Sequence, residues 1–149
     1  MKTQIRHEIE IDAPATAVWE VLTDTAGYPG WNPFIPRLTG ELSEGARLSV
    51  VIAPPSGRAM TLRPTVLSVR PERELRWLGR LLVPGLFDGE HAFTLERLSG
   101  ERTLMVQSER FRGVLVRPLH VATERAERGF ALMNAALAAE VAARRTRTP

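Results

Sequence analysis

Residues 4–34 read QIRHEIEIDAPATAVWEVLTDTAGYPGWNPF, and the parsing of the whole chain turns on them. Ile5, Ile9 and Ile11 alternate with Gln4, Arg6, Glu8 and Glu10, the period of a strand with one buried face. His7 shares the isoleucine face. Asp12-Ala13-Pro14 ends that strand: Asp12 or Ala13 suits a position at or before a helix cap. Pro14 suits the first helical turn, where a missing N–H costs nothing. Ala17, Val18, Val21 and Leu22 then recur at helical spacing, so residues 14–24 are predicted to be a helix closed by Asp24 and Gly27. Residues 25–36 hold three prolines, two glycines and three aromatics. That mixture predicts a rigid, anchored turn or very short helix that covers something, not a linker.

Working outward, residues 37–112 read as short strands between turn signals. Leu38 to Leu42 is short. In 46–52, Leu48, Val50 and Ile52 alternate. Pro54-Pro55-Ser56-Gly57 is a turn. Residues 59–70 form a further strand, with Pro64 implying an edge or a bulge. In 74–82, Leu75, Trp77, Gly79 and Leu81 share one face. Pro84-Gly85 precedes an apolar loop tip, Leu86-Phe87, that looks exposed; between glycines it suits a gate at a cavity mouth or could equally tuck inward. Strands at 90–98 and 103–111 flank a turn at Ser99 to Glu101. Short connections make neighbouring strands antiparallel.

Residues 119–144 are predicted to form one long helix. Ala122, Ala126, Phe130, Met133, Leu137 and Val141 make its apolar stripe. Gly129 interrupts the pattern, either bending the helix or making room for a bulky neighbour. The expected fold class is α+β, a single domain over 1–149. A curved seven-stranded antiparallel sheet wraps the C-terminal helix, with one or two short helices after the first strand. If helix and sheet do not meet along their full length, a cavity remains between them.

Composition narrows the function classes. The 149 residues include no cysteine, which excludes disulfides, thiolate metal sites and a cysteine nucleophile. Three histidines lie far apart in sequence with no HExxH-like pair, so a metal site would have to be assembled by the fold; no metal and no other cofactor is expected. The net charge is +3, yet acidic residues are interspersed with the arginines nearly everywhere. The one uncompensated cluster, Arg144, Arg145 and Arg147, reads as a solvated end, and nucleic acid is not an expected partner. No apolar run reaches the ~20 residues a membrane helix needs, and the first residues lack a secretion signal, so a cytoplasmic location without membrane insertion is expected. No nucleophile elbow, phosphate-binding glycine loop or calcium loop occurs. The short strand near 37–42 leaves monomer and homodimer both open.

Three segments carry a resemblance: IEIDAPATAVWEVLTDTAGYPGWNPF (9–34), LRWLGRLLVPGLFDGEHAFTLE (75–96) and QSERFRG (107–113), followed by the long helix. Together they resemble the polyketide cyclase/dehydrase-like branch of the START/Bet v 1-like (SRPBCC) superfamily. The N-terminal pattern Ala13-Pro14, Val18-Trp19, Leu22-Thr23-Asp24, Tyr28-Pro29 and Trp31-Asn32-Pro33-Phe34 bears most of it. The resemblance implies a helix-grip fold whose members bind lipids, sterols, hormones, quinones or polyketides between sheet and helix. A minority catalyse cyclisation or dehydration there. It also implies that Met105, Gln107, Glu109 and Phe111 face the helix.

A glutamate on such a face is either tied to Arg63, Arg112 or a backbone amide, or open to cavity water and ligand. In the second case Glu109 is a ligand anchor or a general acid/base. His91 shares a face with Phe93 and Leu95, as a hydrogen-bonded core residue or as a ligand donor or proton shuttle. Counting back from the 99–101 turn puts position 91 opposite about 109, so His91 and Glu109 are the candidate acid/base pair. Asn134, beside Phe130 and Met133, either meets a ligand carbonyl or caps a strand. Trp31, Phe34, Trp77, Phe87 and Phe130 are large rings for a flat apolar ligand or for the core. Leu81 and Leu137 complete the candidate lining. Three readings stay open: a carrier or sensor of a small apolar or aromatic molecule, a cyclase, dehydratase or lyase, and a module docking a partner through Leu86-Phe87.

Overall fold

The computed structural model describes residues 3–81, 83–116 and 120–147. The side chains of Leu81 and His120 lie outside the described ones, as do residues Leu82 and Leu119, where the sequence ends one strand and begins the long helix. Strand β1 (Gln4–Ile11) buries Ile5 and Ile11. Helix α1 (Ala15–Thr23) starts one residue later than Pro14 suggested. Pro14 stays extended as the cap, and its carbonyl accepts from the Ala17 and Val18 amides. After one tight turn comes the short α2 (Tyr28–Trp31). Tyr28 is fully buried, and its hydroxyl donates to the Leu22 carbonyl. Burial, and secondarily the Asp24 charge, raise the Tyr28 pKa well above the usual phenol value. Asn32 Oδ1 accepts from the Phe34 and Ile35 amides at 3.1 and 2.8 Å, which orders the loop that presents Phe34.

The expectation of seven strands in one sheet is corrected. Strands β2 (Arg37–Thr39), β3 (Ser49–Ile52) and β4 (Met60–Leu62) form a three-stranded sheet in the order β2-β3-β4. Strands β5 (Thr65–Arg70), β6 (Glu74–Leu81), β7 (Phe87–Ser99) and β8 (Arg102–Arg112) join β1 in a five-stranded sheet, β1-β8-β7-β6-β5. Pro64 divides the anticipated 59–70 strand, because it has no N–H to give a ladder. Its carbonyl still accepts from Leu48, and Val66 donates to Ala46, so the smaller sheet hinges on the larger one.

Helix α3 (His120–Arg147) lies across the large sheet. Its second half is in close contact: Phe130, Met133 and Leu137 are fully buried and Val141 nearly so. Its first half lifts away, with Ala122 exposed and Ala126 half-buried. Gly129 does make room for a bulky neighbour: a Cβ there would lie 2.2 Å from the Phe34 ring. The C-terminal arginines are compensated, contrary to expectation. Arg144 pairs with Glu140 and Asp24, Arg145 with Glu101, and Arg147 with Glu140. No described helix is long and apolar enough to cross a membrane.

Candidate functional site

Cross-strand register builds the site. In β6, β7 and β8 the residues Trp77, His91 and Glu109 lie side by side in one row. The next row on the same face, two residues along, holds Leu75, Phe93, Gln107 and His7. His91 Nδ1 therefore falls 2.8 Å from Glu109 Oε1, and its Nε2 falls 3.0 Å from Gln107 Oε1. Trp77 stacks on His91 with centroids 5.1 Å apart, and Phe130 meets the imidazole edge-on at 5.0 Å. His91 is 3% exposed, whereas the Glu109 side chain keeps 19%. Among the described residues the partner of Glu109 is His91, not an arginine.

Where α3 lifts off the sheet there is a cavity of about 280 Å3. Phe34, Trp77, Phe87 and Phe111 supply its rings, and His91 and Glu109 form part of its wall. Phe87 packs on Phe111 with ring centroids 5.4 Å apart. The small sheet roofs the hollow with Val50, Ile52, Met60 and Leu62, and Ala122 and Ala126 close it from the helix. Arg80, paired loosely with Asp88, and half-exposed Met60 stand at the rim. Gly79 and Gly89 are register partners in the floor. A Cβ on Gly89 would lie 2.2 Å from Glu109 Oε2, so only glycine lets the carboxylate lie across that strand.

Several sequence candidates sit elsewhere. Phe93, Met105, Phe130, Met133 and Leu137 are buried in the core and support the cavity from behind. Gln107 and Asn134 are fully buried and hydrogen-bonded to each other at 2.9 Å. Trp31 packs on Tyr28, centroids 5.2 Å apart, and does not line the cavity. The Leu81 side chain lies outside the described ones. Leu86 and Phe87 are half-buried rather than exposed, because Phe87 turns inward onto Phe111 and the Leu86 carbonyl accepts from Leu115. Gly113, at φ 124°, is what allows that close approach: a Cβ there would meet the Leu86 carbonyl oxygen at 2.3 Å. The docking reading thus loses its exposed phenylalanine.

Sequence reasoning missed Val50, Ile52, Met60 and Leu62, and the paired glycines. The glycines did carry a signal, since an isolated Gly inside a strand often marks a close approach. On the opposite face, Arg76 bridges Glu74 and Glu90 at 2.9 and 2.7 Å. The hydrogen bond from Arg76 is the main reason the Glu74 carboxyl titrates below the usual range.

The chain matches, over residues 2–142, a family described as polyketide cyclase / dehydrase and lipid transport, and it belongs to that family. Its fold is that of the Zhui aromatase/cyclase from Streptomyces sp. R1128, at 20% identity and TM-score 0.78, covering 97% of this chain and 96% of that one. A START superfamily protein from Mycobacterium smegmatis is similar at 17% identity and TM-score 0.74, covering 93% and 96%. The di-domain aromatase/cyclase BexL of the BE-7585A biosynthetic pathway is similar at 14% identity and TM-score 0.69, over 92% of this chain and 46% of that one. At these identities the likeness is one of fold. No curated protein matches the chain.

Proposed function

We propose that this protein is a carrier or sensor that binds an apolar, ring-bearing small molecule in the cavity beneath the small sheet, with Glu109 as polar anchor. The observation that carries the reading is the hollow itself, apolar on most sides and bearing one acidic group. Its size sets the ligand. A cavity of ~150 Å3 holds benzene, so about 280 Å3 suits roughly two rings. A four-ring molecule or a long acyl chain needs the rim at Met60 and Arg80 to open. Burying ~250 Å2 of ligand surface at ~25 cal/mol per Å2 is worth about 6 kcal/mol, which corresponds to tens of micromolar.

Calorimetric titration with naphthalene derivatives tests this. We expect one site with a dissociation constant of tens of micromolar, weakened by Trp77→Ala. Native mass spectrometry is expected to find a copurified apolar molecule. If neither experiment shows a guest, the carrier reading falls.

A second reading is favoured by one observation: Glu109, at the cavity wall, is hydrogen-bonded to a buried histidine. Such a pair suits acid–base chemistry on a polyketide-like substrate, in a cyclisation, dehydration or lyase reaction. Glu109→Gln and His91→Ala are then expected each to lower turnover at least 100-fold. Turnover that survives both substitutions removes the pair from the mechanism.

A further inference from the structure

An unbroken line of hydrogen bonds runs from β1 to the cavity wall. It passes from His7 through Asn134 of α3, Gln107 of β8 and His91 of β7 to Glu109. Each bond needs one donor and one acceptor, so the line is legible from its fixed end. That end is the His7 main-chain carbonyl, which only accepts. It lies 3.0 Å from Asn134 Nδ2, and the same nitrogen lies 3.0 Å from His7 Nδ1. Asn134 thus directs both amide hydrogens at His7 and must turn Oδ1 the other way. Gln107 meets that oxygen with Nε2 at 2.9 Å, which turns its own Oε1 toward His91. This oxygen also only accepts, and His91 Nε2 is 3.0 Å away, so Nε2 carries a hydrogen. Reversing the order would set Asn134 Oδ1 against the His7 carbonyl oxygen, two acceptors face to face. Gln107 and Asn134 are fully buried, so water does not relieve the conflict.

We infer that Asn134 and Gln107 are positioning residues that lock His91 in its Nε2–H form, confining the site's remaining proton to the 2.8 Å contact between His91 Nδ1 and Glu109 Oε1. The inference deepens, and rests on, the reading that Glu109 is the group meeting the ligand. With Nε2 already protonated, Nδ1 and Oε1 share one hydrogen. The pair is imidazolium with carboxylate or imidazole with carboxylic acid, and its net charge is zero in both forms. A pair neutral as a unit tolerates an apolar wall better than a bare carboxylate. In both forms Glu109 Oε2, lying over Gly89, is left as a pure acceptor. The ligand that fits presents a hydrogen-bond donor to it: a phenol, an enol or an N–H group, in preference to an ether or a ketone.

Histidine-selective 15N NMR on the ligand-free protein at neutral pH reads the tautomer, with His91→Gln assigning the signal. A hydrogen on Nε2 is expected, either alone or together with one on Nδ1. In Gln107→Met no oxygen faces Nε2, and in Asn134→Leu the glutamine is free to turn over. Both variants are expected to show mixed tautomers. A merely structural role would lower the melting temperature and leave the tautomer alone. His91 protonated on Nδ1 alone overturns the inference, as does a wild-type tautomer in a folded variant of either residue. The second arm compares 2-naphthol with 2-methoxynaphthalene, where at least tenfold tighter binding of the naphthol is expected. Equal affinities overturn the assignment of Oε2 as acceptor. If neither compound binds, the cavity reading fails, and the NMR result still decides the lock.

Discussion

Gly129→Ala sets two effects of opposite sign against each other. In an ordinary helix interior the change is stabilising by about 1 kcal/mol, because alanine loses less backbone freedom than glycine. Here the new Cβ would lie 2.2 and 2.3 Å from Cδ1 and Cε1 of Phe34. Phe34 is 2% exposed and already meets Phe130 edge-on, ring centroids 5.6 Å apart. The ring must retreat by on the order of 1 Å, and its free side is the cavity. Overpacking of this kind costs typically 1–3 kcal/mol. The expected net effect is a loss of about 0–2 kcal/mol, or a melting temperature lower by up to roughly 8 °C for a chain of this size, in place of the usual gain. A Phe34→Ala background removes the three ring atoms nearest the new methyl, and there the same substitution is expected to stabilise by about 1 kcal/mol. The double-mutant cycle should therefore give a coupling of ~1–3 kcal/mol, the overpacking cost itself. Urea unfolding of the four proteins measures it. A Gly129→Ala change that stabilises equally in both backgrounds would refute the placing of Phe34 against the helix, and with it one wall of the cavity.

Three further outcomes are expected. Gly79→Val puts methyls into open floor, since a Cβ there lies 3.9 Å from its nearest neighbours; phenol should still bind and naphthalene derivatives should lose at least tenfold, as calorimetry would show. Tyr28 is the chain's one tyrosine, so ultraviolet titration reads it alone. Its raised pKa means the unfolded state ionises first. The stability it contributes is present below the ordinary phenol value and declines as pH rises above it, so phenolate absorbance should appear only with alkaline unfolding. Glu74 is lowered, chiefly by the hydrogen bond from Arg76. Its contribution is present above the unfolded glutamate value and is lost as pH falls through the lower folded one. Arg76→Met should flatten the acid limb of a stability-against-pH curve, and an unchanged limb would count against the pairing.

Some of this was legible in the chain and some was not, for identifiable reasons. Ile5, Ile9 and Ile11 announce β1 because alternation is a local property. Counting back from the Ser99–Glu101 turn reaches the His91–Glu109 pairing, because hairpin register follows from turn length. Pro64 announced an interruption, but not that the chain beyond it folds into a second sheet, which depends on contacts distant in sequence. The same limit separates lining from core. Phe93 and Met105 share strand faces with cavity residues, yet they lie at the end where α3 makes contact. The fate of a side chain is set by where the helix lifts off, and no strand records that. The hydrogen bonds joining His7, Gln107 and Asn134 span three elements and have no local signature.

The position of the hollow follows from side-chain size on two facing surfaces. Along α3 the inward residues change from Phe130, Met133 and Leu137 to Ala126 and Ala122. On the sheet below, the bulky Leu75 and Phe93 give way to Gly79 and Gly89. Large faces large at one end, whereas at the other the two alanines face a row in which only Phe111 is bulky, so contact is complete only at the first. At ~24 cal/mol per Å3, a dry and sealed space of about 280 Å3 would cost on the order of 7 kcal/mol, comparable with the net stability of a whole domain. The opening beside Met60 and Arg80 admits water and lowers that figure. Larger residues at 79, 122 and 126 would remove the cost without altering the fold. A chain with small residues at all three forgoes that stability, and the missing contacts are those that the proposed guest would supply.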